Sequence, residues 1–330
     1  MFISLFGSFE SGIIYAIMAL GVYLTFRVLD FPDLTVDGSF VTGAAVASIS
    51  IISGIPPFIA TIMAAGTGFL AGCVTGILHT KGKINALLSG ILMMIALYSV
   101  NLRIMGQPTL PLLNQTTIFK QLESLWEGTG INAFLNGILA SIGIERMPGT
   151  WAILIVMIIV TITIKLLTDY FLKTDVGLAL RATGDNKRMI RSLSANTDTL
   201  IIMGVGFSNA LVASSGALIA QYGGFADVGM GIGLIVIGLA SVIIGEALFG
   251  TKTIARTTLA VIGGAIVYRV VVTMALRVDF LETGDMKMIT AILVIAALVA
   301  PKAIRIRKDR KRRLQKREEV RQQKVKEAAS

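Results

Sequence analysis

The sequence predicts an all-α, polytopic helical membrane protein of about nine spans. Three observations carry that reading. The 330 residues are 54% hydrophobic and only 15% charged, whereas a soluble domain carries about 25% charge. Mean hydropathy is +0.78. Apolar runs near twenty residues long recur from the N-terminus to Ala300, and each can cross about 30 Å of hydrocarbon as a helix. In lipid such runs must be helical, because a helix satisfies its own backbone hydrogen bonds.

The expected spans are roughly 9–28, 38–53, 57–79, 84–104, 150–170, 198–220, 231–249, 255–277 and 286–300. The second and last are short enough to be broken or tilted. The first lacks the basic start of a cleaved signal peptide and carries Glu10 and Tyr15. Between the first and second lies "RVLDFPDLTVDGS", with three aspartates and Pro32. Proline pushes its preceding residue to extended geometry, so a non-helical backbone is expected there. "SGIPPF" separates the second and third, because Pro56 and Pro57 cannot continue a helix. The third contains Gly68, Gly72 and Gly76, four apart on one face, a spacing that admits another backbone closely. "HTKGKIN" then makes a polar hairpin around the single histidine, His79.

Lys and Arg set the orientation. With the C-terminus cytoplasmic and the N-terminus outside, Arg27, Lys81, Lys83, Lys165, Lys173, Arg181, Lys187, Arg188, Arg191, Lys252 and Arg256 fall inside. Only Arg103, Lys120, Arg146, Arg277 and Lys287 fall outside, and Arg269 alone is intramembrane. Residues 1–300 then form the transmembrane unit, with an outside loop at about 105–150 and a cytoplasmic loop at about 171–197. Trp126 and Phe134 suit an amphipathic segment of that outside loop lying on the membrane surface. Residues 301–330 form a basic cytoplasmic tail, which accounts for most of the +10 net charge. It has no aromatic residue to stack on a base, so its expected partner is the anionic lipid bilayer surface and not nucleic acid.

Several chemistries are excluded. One cysteine, Cys73, and one histidine leave no disulfide framework and no metal site. No cofactor is expected. "GEALFGTKT" resembles a phosphate loop, but Thr251 stands where that loop needs its lysine. No zinc-protease motif or nucleophile elbow is present, so the chain does not read as an enzyme. Two ionisable residues lie within spans, Glu246 and Arg269. At 1.5 Å per residue they fall at opposite depths and are not expected to pair. Glu246 reads as a cap at the cytoplasmic end, and Arg269 as a snorkelling side chain or a ligand of a helix C-terminus, with a role in transport the alternative for each.

One stretch is out of place: "TDVGLALRATGDNKRMIRSLSANTD", Thr174–Asp198. Gly184 is expected to break the preceding structure and Asp185 to cap a short helix from Asn186 to Leu193. Met189, Ile190 and Leu193 share one face at spacings of three and four, with Lys187, Arg188 and Arg191 projecting elsewhere. Such an amphipathic cytoplasmic helix is a docking element, or else a solvated loop with positive-inside charge.

"GLALRATGDNKRMIRSL" and "GLASVIIGEALFG" resemble segments of ABC importer permeases of the branched-chain amino acid and ribose type. "FRVLDFPDLTVDGSFVTGAAVAS" and "INALLSGILMMIALYSVNLRIMG" resemble the subgroup implicated in aromatic amino acid uptake. The resemblance spans about residues 9–300. Family loops often carry a Gly-Ile pair after Gly-Asp-Asn, where this chain has Met189 and Ile190. The resemblance implies a pair of identical permease chains, two ATPase subunits that grip the short helix after Gly184, and an extracellular substrate-binding lipoprotein. Polar residues that could line a pathway or gate are Asp33, Thr35, Asp37, Ser39, Asn85, Ser89, Tyr98, Asn101, Ser208, Asn209, Ser214 and Ser215. By the span count Asp33 and Asp37 fall at the cytoplasmic edge. The set suits a small zwitterion or a nucleoside; a sugar is a further alternative. The rival class is an ion-coupled transporter acting alone, whose mark is a set of midplane carboxylates at broken helices.

Overall fold

The computed structural model describes residues 2–276 except 129, 142–146 and 194, together with positions 288, 291, 292, 295 and 299. The expected ninth span and the basic tail lie almost wholly outside the described residues.

Within them, eight helical segments are long and apolar enough to cross a membrane. Helix α1 (Phe2–Tyr23) continues through a π-helical turn, Leu24–Val28, and starts seven residues earlier than the sequence suggests. Then come α2 (Thr35–Ile52), α3 (Pro57–Thr80) and α4 (Ala86–Met105). Pro57 opens α3, where its missing N–H costs nothing. The Asn85 side chain accepts from the Leu87 N–H and caps α4. Strand β1 (Thr109–Pro111) and helices α5 (Ile118–Glu127) and α6 (Ile131–Ser141) occupy the expected outside loop. Helix α7 (Ala152–Lys173) leads into α8 (Asp175–Asp185) and α9 (Lys187–Ser192), and α10 (Thr197–Gly223) follows. Strand β2 (Phe225–Asp227) pairs antiparallel with β1, Leu110 opposite Ala226. A 3-10 turn, Val228–Gly231, precedes α11 (Leu234–Phe249), and α12 (Ile254–Ala275) completes the described bundle.

Helix α10 is the hub. It packs on α1, α2 and α3, and its small residues let those helices come close. The glycine face of α3 meets it as the spacing predicts: a Cβ on Gly68, Gly72 or Gly76 would collide with Asn209, Val205 or Ile202. Side chains add polar links. Ser208 donates to the Gly21 carbonyl at 2.7 Å and Ser215 to the Ile14 carbonyl at 2.8 Å. These hydroxyls bind α10 to α1 and are fully buried. Lys165, which the span count places at the cytoplasmic end, is instead buried in α7. It pairs with Asp169, whose other oxygen accepts from the Thr258 hydroxyl at 2.6 Å.

The bundle has two ends. One carries α8 and α9; the other carries the β1–β2 ribbon and α5. Helix α11 is the irregular member. Its 16 residues span about 24 Å, too short to cross alone. The chain enters from the ribbon along α2, with Ala226 and Val228 among Ala44 and Ala45 and Gly231 against Asp37 and Val41. It turns into α11 through Gly233, whose φ of 85° is the left-handed conformation that glycine adopts freely. Leu234 and Ile235 therefore begin the helix buried among Met18, Val36, Phe40 and Val212.

Candidate functional site

The segment between α1 and α2 is non-helical from Asp30 to Asp33, with a turn at Leu34. That much follows from Pro32. Its depth does not. Asp33 is 1% exposed. One carboxylate oxygen accepts from the Thr35 N–H at 2.9 Å, and the other from Asn209 Nδ2 at 2.6 Å. Asn209 lies about 18 Å from the start of α10 and about 21 Å from its end. Asp33 thus sits near the middle of the bundle and not at its edge, because the chain folds back inward after Val28. The Thr35 hydroxyl bonds Thr75 of α3 at 2.8 Å. The Ser39 hydroxyl and Asn209 Oδ1 are buried without a hydrogen-bond partner among the described residues.

Asp37 is also deeper than the span count places it. Its oxygens accept from the Gly233 and Ile235 N–H groups, each at 2.8 Å. A side chain of α2 thereby caps the broken start of α11. A carboxylate at a helix N-terminus contributes about 0.3–1 kcal/mol, and up to about 2 kcal/mol when partly buried.

Asp37 borders a half-open cavity of about 510 Å³ between α2, α4 and the turn before α11. Its wall is largely apolar: Val41, Met94, Ile95, Val228 and Ile232. Tyr98, Ser99 and Asn101 supply polar groups from α4. Asn101 is committed, accepting from the Thr42 hydroxyl at 2.8 Å and donating to the Gly38 carbonyl at 3.1 Å. Tyr98 is 54% exposed.

The expected pathway residues therefore divide. Asp37, Tyr98 and Asn101 come together at the cavity. Asp33, Thr35 and Asn209 form a second, closed cluster. Ser208 and Ser215 are inter-helix links, Ser214 bonds the Ala210 carbonyl of its own helix at 2.8 Å, and Ser89 bonds the Asn85 carbonyl at 3.0 Å. Ser99, Gly231 and Ile232 went unread, although the glycine run "GMGIG", Gly229–Gly233, is the pattern of an interrupted helix.

At the other end, Gly184 does not break a helix. It lies inside α8, where a Cβ would overlap the Val28 carbonyl. Asn186, not Asp185, caps α9, accepting from the Met189 N–H at 3.1 Å. Asp185 ends α8. The three apolar residues do not share one free face. Ile190 is 6% exposed, whereas Met189 and Leu193 are 48% and 70% exposed. Arg191 is held by Thr197 at 2.9 Å and by Asp198 at 3.0 Å. Partial burial pushes the Lys187 ammonium below its ordinary range, with Asp198 opposing the shift.

Glu246 and Arg269 are both engaged, in ways the sequence reading missed. Glu246 pairs with Arg27 from the end of α1 instead of capping a helix. Among the described residues Arg269 meets an aromatic ring. Its guanidinium lies 3.9 Å over the Tyr15 ring, a cation–π contact.

Residues 4–298 match the family model of the branched-chain amino acid transport system permease component. The chain belongs to this permease family. It is a multi-pass protein of the cell membrane and the permease component of an ABC transport system. It is 46% identical over 286 residues to a tyrosine transport system permease protein of Clostridioides difficile (strain R20291), covering 87% of each chain. It is 33% identical over 240 residues to an uncharacterized protein of Rickettsia prowazekii (strain Madrid E), covering 73% of this chain and 76% of that one. No solved structure matches it.

Proposed function

We propose that this permease imports an aromatic amino acid, as the conducting subunit of an ATP-driven importer. The observation that carries the reading is the 46% identity, over 87% of both chains, to a tyrosine transport system permease protein. The cavity at Asp37 agrees with it: an apolar wall suits an aromatic side chain, and a few polar groups fix its orientation.

In this reading two identical chains flank one pathway, and their α2–α4 faces close the half-open cavities. The N-terminus and the ribbon end face outward, toward a substrate-binding lipoprotein. The α9 end faces the cytoplasm, where each of two ATPase subunits holds one α9. Met189 and Leu193 enter a groove on that subunit, and Arg188 meets its rim.

The test is reconstitution. The permease, its ATPase and its binding protein in liposomes are expected to take up labelled L-tyrosine only with ATP inside the ATPase-facing compartment. Uptake by the permease alone, driven by an ion gradient, would instead establish the ion-coupled reading.

A further inference from the structure

The cavity beside α11 holds a carboxylate, and among the described residues none that lines it is Lys, Arg or His. The hydrogen bonds to Asp37 come from backbone N–H groups, two of them at 2.8 Å. A carboxylate offers about four lone-pair sites, so this leaves acceptor capacity on the cavity side. Even a half-buried carboxylate is costly to keep charged where no counter-charge stands beside it. A capping role alone does not require a full charge, since a neutral oxygen also accepts the N–H bonds of a helix start.

We propose that the Asp37 carboxylate receives the ammonium group of an amino-bearing solute whose apolar side chain lies against Met94, Ile95 and Ile232. The inference rests on the reading of this chain as an amino acid permease, and it names the group that recognises the solute. Tyr98 and Ser99 line the same space from α4, and in this reading their hydroxyls supply donors for the solute's remaining polar atoms. Binding at Asp37 also bears on α11, because the same oxygens hold its first N–H groups. At its far end α11 carries Glu246, paired with Arg27. One helix thus joins the solute-binding carboxylate to an ion pair at the α9 end.

The experiment uses the purified permease–ATPase complex with Ser99→Cys in a Cys73→Ser background, so that the introduced cysteine is the permease's sole thiol. The rate of maleimide labelling reports occupation of the cavity without the binding protein. L-tyrosine and tyramine are expected to slow labelling several-fold. 3-(4-hydroxyphenyl)propionate, which has the ring and carboxylate but no amine, is expected to leave the rate unchanged. Asp37→Asn should abolish the protection, and Asp37→Glu should keep part of it.

Equal protection by the desamino acid, protection that survives in Asp37→Asn, or no protection by any of the three compounds would each overturn the proposal. The comparison among compounds uses unaltered Asp37, so it stands even if the Asn variant fails to fold. ATP-driven tyrosine uptake by the complete assembly is a separate reading. Uptake with amine-independent protection removes this inference alone. Absent uptake with amine-dependent protection at Asp37 removes the transport reading alone.

Discussion

Arg27 and Glu246, at the α9 ends of α1 and α11, form a two-point ion pair: Nε donates to Oε1 at 2.9 Å, and Nη2 to Oε2. The Arg27 side chain is 49% exposed, so water screens the pair, and its contribution is about 1 kcal/mol or less. A double-mutant cycle with Arg27→Ala and Glu246→Ala should give a coupling energy of that size in thermal unfolding of the purified permease. The exchanged pair, Arg27→Glu with Glu246→Arg, should recover most of it. A coupling energy of zero would mean that the contact plays no part in holding α1 to α11.

Gly184 is tested by a single methyl group. Its place in α8 lies against the Val28 and Leu29 backbone, which cannot swing aside as a side chain would. Gly184→Ala should destabilise by about 1–3 kcal/mol through overpacking. Gly66 is the control: it lies in α3, and an added Cβ meets nothing within 4 Å. Gly66→Ala should be neutral or stabilising, by up to about 1 kcal/mol from helix propensity. Melting temperatures of the two variants in detergent decide the matter, and equal values would contradict the packing argument.

The membrane class and eight of the spans were legible in the sequence because span length and apolar content are local properties. The depth of Asp33 was not. A count of spans treats every polar stretch between them as an edge, but residues 29–34 fold back into the bundle. What makes that possible is Asn209, 176 residues away, together with Thr75. Each polar residue is visible in the sequence, but its partner is not. Likewise the spacing of Met189, Ile190 and Leu193 is that of a single face, yet α9 is one and a half turns long and packs Ile190 inward. The glycines of α3 were readable because close approach leaves its mark at a fixed spacing on one helix.

The Asp33–Asn209 contact predicts strong non-additivity. Asn209→Ala would leave a fully buried carboxylate with Thr35 alone as its donor residue. Losing a hydrogen bond to a buried charged group in this way costs about 1.5–3 kcal/mol. Asp33→Asn removes the charge and retains an acceptor for the Thr35 N–H, so the double variant should be less damaged than the sum of the singles. Thermal unfolding of all four proteins measures this, and simple additivity would show that the two side chains do not depend on each other.

Orientation is testable with single cysteines in the Cys73→Ser background. Ser124 lies exposed on α5, and Arg188 lies exposed on α9. Ser124→Cys should react with an impermeant thiol reagent in intact cells. Arg188→Cys should react only after lysis. The reverse pattern would invert the chain and remove α9 from the ATPase side.

The α9 end carries the last prediction. Ile190 belongs to the permease's own packing, so Ile190→Asp should damage folding, because it buries a charge without a partner. Met189 and Leu193 point away from the permease and touch solvent. Met189→Asp with Leu193→Asp should therefore leave insertion and thermal stability near the wild-type values. In the assembled importer the same two positions lie in the ATPase groove, where the charges would be desolvated. The cost, about several kcal/mol, exceeds what a modest interface absorbs, so the ATPase should dissociate or lose its coupling. Arg188→Ala should do less, since a rim charge contributes about 1 kcal/mol or below. Co-purification and tyrosine-stimulated ATP hydrolysis in liposomes read the outcome. If the Met189/Leu193 variant keeps both at wild-type levels, α9 is a solvated turn and the ATPase docks elsewhere.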